Sequence, residues 1–179
     1  VGLMDPTQAS GEMNLSASNL TVDGLSAPSA VVGAINVVSF SATGDATANI
    51  NIVNTTVTDT VSGTNQFSAT GSLLVGSAGI ADGTNASANL TSTNLISSEN
   101  IFDGAKGTCG ESDLTSLFSG QGSASNSITS GGGNLSDDTT CYPYFTQPTD
   151  QNNLTNLGLT LAPLADNGGA VPTRALLQG

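Results

Sequence analysis

The sequence predicts an all-β fold in which the chain winds through stacked coils, and three observations predict it. A phrase with the frame Asn-apolar-x-x-x-Asn occurs three times, as Asn14-Leu15-Ser16-Ala17-Ser18-Asn19-Leu20, Asn49-Ile50-Asn51-Ile52-Val53-Asn54-Thr55 and Asn89-Leu90-Thr91-Ser92-Thr93-Asn94-Leu95. It returns after 35 and then 40 residues (14 to 49, 49 to 89). A second phrase, Phe40-Ser41-Ala42-Thr43-Gly44 and Phe67-Ser68-Ala69-Thr70-Gly71, falls once within each interval. Apolar residues alternate with short polar ones, and β-branched residues and Gly abound, which is the pattern of strands and not of helices. Constant phrases at unequal spacing describe coils of one architecture with loops of different length. A repeat of this size belongs to a solenoid or a propeller.

Side chains two apart on a strand share a face. Leu15, Ala17 and Asn19 therefore lie together, as do Ile50, Ile52 and Asn54, and Leu90, Ser92 and Asn94. Coils stacked at about 4.8 Å would align these residues into columns. Leu15, Ile50 and Leu90 make an aliphatic core column. Asn19, Asn54 and Asn94 make an inward column of amides at a bend, each bonding the next, since a buried amide left unpaired costs about 1 to 3 kcal/mol. Asn as a simple turn marker is the plainer alternative.

Composition narrows the chemistry. Lys106 and Arg174 are the only basic residues against 14 acidic ones, His and Trp are absent, and the net charge is −12. Two cations cannot neutralise a phosphate track, which excludes nucleic acid as a partner. Without His there is no imidazole base, no Ser-His triad and no His metal ligand. The surplus carboxylates must be solvated, cation-bound or spread along a surface. At 37% hydrophobic residues and mean hydropathy +0.05, the chain is too apolar for charge-driven disorder. Its longest mostly apolar run, Ala30 to Val38, is strand-length and far short of the ~20 residues of a membrane span. Val1-Gly2-Leu3-Met4-Asp5-Pro6 lacks the basic start of a signal peptide.

From about residue 100 the texture becomes Gly-, Ser- and Pro-rich, with Gly104, Gly107, Gly110 and Gly131-Gly132-Gly133. Residues 1–108 read as β coils with variable loops, and 109–179 as closing coils and a C-terminal cap of the same domain. Cys109 and Cys141 read as a disulfide formed in an oxidising compartment, closing a ring that contributes about 3 to 4 kcal/mol. A redox or metal pair is the alternative, and a poor zinc site without His. Nothing before Met13 resembles a cap, so the N-terminal end is expected to continue into further coils or to receive another subunit.

Asn134-Leu135-Ser136 through Cys141, followed by Leu161-Ala162-Pro163-Leu164-Ala165-Asp166-Asn167-Gly168-Gly169 and Pro172-Thr173-Arg174-Ala175-Leu176-Leu177, resembles bacterial surface proteins of the choice-of-anchor Q type, which overlap with those carrying a CSLREA domain. The resemblance covers roughly residues 89 to 179 and is only textural before that. It implies a right-handed parallel β-helix, a solenoid with a loop-rich, disulfide-stapled C-terminal cap, at the cell surface. It implies no activity. Arg174 stands where that family has His.

Parallel β-helices also carry polysaccharide lyases and hydrolases. Asp137-Asp138 matches a glycosidase's paired carboxylates only superficially, because adjacent strand residues face opposite ways. A lyase needs a basic residue beside Ca²⁺, and two isolated cations leave little for that. The chain therefore reads as no enzyme and commits to no cofactor. Asp82, Asp137 and Asp138 supply the loop oxygens that would suit Ca²⁺, without any repeated calcium motif. Among the Asn-x-Ser/Thr sequons, Asn85 and Asn153 are the glycan candidates. The expected role is a structural or adhesive element of the extracellular surface, whose partners are copies of itself, in a head-to-tail fibre, or matrix components. A polysaccharide-binding or polysaccharide-degrading β-helix is the alternative.

Overall fold

The computed structural model describes residues 2–3, 10–27, 33–63, 71–118, 121–169 and 171–177. Alternating apolar and β-branched residues give strands β1 (Gly2–Leu3), β2 (Ser10–Ser18), β3 (Thr21–Asp23), β4 (Ser26–Ala27), β5 (Ile35–Ser41), β6 (Asp45–Thr58), β7 (Val61–Ser62), β8 (Leu73–Gly79), β9 (Asn85–Ser98), β10 (Ile101–Phe102), β11 (Ala105–Lys106), β12 (Cys109–Asp113), β13 (Ser123–Gly132) and β14 (Leu135–Ser136). Helical structure among the described residues is confined to two 3-10 turns, Thr115–Phe118 and Leu157–Thr160. The second Phe phrase falls at 67–71, of which 67–70 lie outside the described residues.

The strands form three sheets. One has the order β1-β5-β8-β12; a second has β2-β6-β9-β13, with β3 beside β6 and β14 beside β9; the third has β4-β7-β10-β11. All pairings between these strands are parallel except the β10–β11 hairpin. The chain visits the sheets in a fixed rotation: β5, β6, β7, then β8, β9, β10, then β12 and β13. One such passage is a coil. Leu15, Ile50, Leu90 and Ile128 share one register position across β2, β6, β9 and β13. Successive coils there are offset by 35, 40 and 38 residues.

The core fills the space between the sheets. Val37, Ala48, Ile50, Ile52, Val57, Leu73, Val75, Leu90 and Leu95 form one apolar cluster with the cysteines and Phe145. Ile50 and Leu90 are buried, whereas Leu15, on the first of the described coils, is 39% exposed.

The long strands β6 and β9 turn a corner without breaking. Asn54 and Asn94, and Asn19 between β2 and β3, adopt left-handed backbone conformations with φ of 52°, 53° and 56°. Asn tolerates this region better than most residues. Ladder pairing skips these positions, passing from Val53–Thr93 to Thr55–Leu95. The kink also resets the alternation: Thr55 and Leu95 point inward, and the Asn side chains are exposed. The amide column is therefore outward, not inward as the unbroken alternation implied. Its fourth position is Gly133 (φ 74°), where a Cβ would collide with Asn94 Oδ1.

The region after β14 divides in two. Residues 139–156 lie over the last coil, with Leu135 bridging Gln151 in parallel and Phe145 and Cys141 buried. Beyond them the chain folds into a hairpin through the antiparallel bridges Leu161–Leu176 and Ala165–Thr173. Arg174 on this hairpin reaches Asp59 of the second coil and Asp23 of the first. The first part packs on the last coil, and the second is a strap running back along its side.

Candidate functional site

Both basic side chains of the protein converge on one corner, between the second and third sheets. Gly24, Asp59 and Glu99 turn that corner in successive coils with φ of 65°, 53° and 56°. Asp23, the last residue of β3, and Asp137, just after β14, flank it. Arg174 Nη2 donates to Asp23 Oδ1 at 2.7 Å and to Asp59 Oδ2 at 2.6 Å. Lys106 Nζ donates to Asp137 Oδ2 at 2.5 Å and to Glu99 Oε1 at 3.2 Å. Lys106 is delivered by the β10–β11 hairpin, whose turn residues Asp103 and Gly104 both have positive φ, 48° and 77°. Asp-Gly is the pairing such a tight hairpin favours, a signal present in the sequence that the reading above passed over.

Burial alone would raise the Asp23 carboxyl. Hydrogen bonds from Arg174 and Thr58, with the guanidinium charge, outweigh it and hold Asp23 below its ordinary value. The ammonium of Lys106 is pushed up, chiefly by its bond to Asp137, against burial and with help from Glu99.

The three aspartates considered for calcium do not come together. Asp82 lies in the turn before β9, whereas Asp137 sits level with Ser98 at the far end of that 14-residue strand. Asp137 also accepts from Glu99 N, at 3.0 Å. Asp138 is turned inward and accepts from Thr108 Oγ1 (2.6 Å) and Thr140 N (2.7 Å). Thr140 Oγ1 in turn accepts from the backbone N–H groups of Thr108 and Cys109, at 2.9 and 3.0 Å. The acidic pair thus anchors the closing loop beside the Cys109–Cys141 disulfide, whose Cα atoms are 5.1 Å apart. Among the described residues no group of three or more Cys, Asp or Glu is arranged to hold a metal ion.

Two amide ladders cross the second sheet. Asn54 Nδ2 donates to Asn19 Oδ1 at 3.3 Å, and Asn94 Nδ2 to Asn54 Oδ1 at 3.1 Å. The sequence reading missed the other, although the phrase itself begins with the residue that forms it. Asn49 Nδ2 donates to Asn14 Oδ1 at 2.9 Å, Asn89 Nδ2 to Asn49 Oδ1 at 2.9 Å, and Ser127 Oγ closes the row on Asn89 Oδ1 at 2.7 Å. Beside it runs the column Ser16, Asn51, Thr91 and Thr129, in register on the same outward face.

No protein family, curated protein or solved structure matches this chain.

Of the glycan candidates, Asn85 Nδ2 is engaged by Asp45 Oδ1 at 2.7 Å, while Asn153 is exposed in the closing loop. Asn134, also in a sequon, is fully buried. Its Oδ1 accepts from Leu95 N and Ser92 Oγ, and its Nδ2 donates to Ser92 O, Ser130 Oγ and Asp150 Oδ1. No helix among the described residues is long and apolar enough to cross a membrane. A disulfide fits an oxidising compartment.

Proposed function

We propose that the chain is a right-handed parallel β-helix serving as a non-enzymatic structural or adhesive element of the extracellular cell surface. The observation that carries the reading is the fixed rotation of the chain through three parallel sheets, coil on coil in register. Parallel crossovers are right-handed in about 98% of cases, which supplies the hand. Function then resides in repeated outward side chains. The two cations and the acidic pair, the groups on which acid–base chemistry would draw, are engaged in structural bonds. The disulfide and the resemblance of residues 89–179 to choice-of-anchor Q surface proteins support placement outside the cell.

Assembly into a head-to-tail fibre draws support from one end only. The first coil leaves Leu15 exposed, but residues 139–156 are packed over the last. Antibody labelling of intact, unpermeabilised producing cells tests the placement. Surface signal is expected, and antigen found only after lysis overturns the reading.

A further inference from the structure

We propose that the outward face of the β2-β6-β9-β13 sheet binds an unbranched, neutral polysaccharide lying across the strands beside the Asn14–Asn49–Asn89 ladder. The proposal rests on the surface β-helix reading and names the ligand that its repeated face takes.

A shallow recess of about 300 Å³ lies on this face, lined by Asn14, Ser16, Asn49, Asn51, Asn89 and Thr91. One wall is the bonded ladder. Each amide there is fixed by its neighbour, so a ligand hydroxyl meets donors and acceptors that are already oriented, and little side-chain freedom is lost on binding. The other wall is the Ser16–Asn51–Thr91 column, which Thr129 continues in register beyond the recess and whose side chains have no hydrogen-bond partner among the described residues. Fixed amides beside uncommitted hydroxyls and the uncommitted amide of Asn51, repeating at about the 4.8 Å strand spacing, suit a polymer of hydroxyl-bearing rings of similar length.

Charge and shape select within that class. Lys106 and Arg174 are both bound at the acidic corner, and the charged side chains on the described part of this face are the carboxylates Glu12, which accepts from Asn14 and Asn49 of the ladder, and Asp45, which accepts from Asn85. An anionic polymer is therefore disfavoured. The described outward positions hold no aromatic ring, so each sugar is held by hydrogen bonds, worth about 0.5 to 1.5 kcal/mol apiece, without stacking. Useful affinity needs several adjacent sugars and must rise with chain length.

The test is electrophoresis of the full chain through native gels containing a linear neutral glucan or mannan, or polygalacturonate, for the wild type and Asn51→Ala/Thr91→Val. Both substitutions are on the outward face, and circular dichroism with thermal melting verifies folding. Retardation by a neutral polymer, none by polygalacturonate, and at least about a fivefold loss in the double variant are expected, as removal of two hydrogen bonds predicts. Competition by oligosaccharides of increasing length, measured on the wild type, must show rising potency. The proposal is overturned by the absence of retardation in any neutral polymer, by a folded double variant retarded like the wild type, by potency independent of length, or by ice-crystal shaping without polysaccharide retention. Surface labelling of cells with no retention would sink this ligand alone and leave the surface role standing.

Discussion

At the scale of single residues, stability depends on a few carboxylates in unusual places. Asp137 has only 2% of its side chain exposed, and its Oδ1 is buried without a partner among the described residues. The other oxygen is held by Lys106 and Glu99 N. Lys106→Met should therefore leave a buried charge poorly compensated and cost about 1 to 3 kcal/mol in urea unfolding. Adding Asp137→Asn should restore much of the loss, because removing both charges removes the desolvation penalty along with the attraction. Glu111 is a different case. It occupies the register position of Val37 and Val75, a core position, in the last strand of its sheet. Burial raises its carboxyl, only partly offset by the bond its Oε1 accepts from Ile128 N at 2.7 Å. A raised folded value means that the fold disfavours the ionised form. The penalty is absent below the ordinary carboxylate range, grows as pH rises toward the folded value, and is complete above it. Glu111→Gln keeps the acceptor and should raise the melting temperature at pH 7 while changing little at pH 3. An equal shift at both values would place the cause elsewhere.

At the scale of elements, the corner asparagines combine two roles that substitution can separate. Asn54→Ala loses the amide bonds to Asn19 and Asn94 and also forces a Cβ-bearing residue without local polar compensation into φ near 52°. The expected cost is about 2 to 3 kcal/mol. Asn54→Gly loses the same bonds but accepts the conformation, so a cost of about 1 kcal/mol is expected. Thermal melts of the two variants separate the ladder from the bend. These asparagines also mark how far the sequence could be read. The repeat and the period of two placed Ile50 over Leu90 and aligned the amides, because both are properties of local spacing. What the period could not carry was its own interruption: a left-handed residue within a strand inverts everything after it, so amides counted as inward emerge outside. The Asn14–Asn49–Asn89 ladder was legible in the same phrase, one position before the column that was followed. The strap was not. Arg174 and its partners Asp23 and Asp59 lie 151 and 115 residues apart, and no local pattern encodes such a contact.

At the scale of the whole molecule, a stack of coils has little beyond nearest-neighbour contacts to hold it, so its stability should vary along its length. The last coils are held by the Cys109–Cys141 bond across 32 residues, by the Asn134 and Asp138 networks, and by the buried Phe145. Reduction should release about 3 to 4 kcal/mol and lower the melting temperature by roughly 6 to 16 °C. Among the described residues the first coil has no such fastening. Met13, Ala17 and Val22 are only partly buried against the core, and its tie to the far end of the chain is Arg174. Hydrogen exchange should accordingly be fastest in β2 and β3, slower in β6, and slowest in β9 and β14. Arg174→Met should speed exchange in β2, β3 and the hairpin 161–177 while leaving β9 and β14 unchanged. The same ion pair sets a pH window. Asp23 is held below its ordinary value, so its contribution is complete above about pH 4 and is lost as pH falls through the folded value. Acid should then loosen the first coil and strap in the wild type and add little in Arg174→Met. Uniform exchange across β2, β6 and β9, or acid sensitivity that survives the substitution, would show that the strap does not hold the first coil.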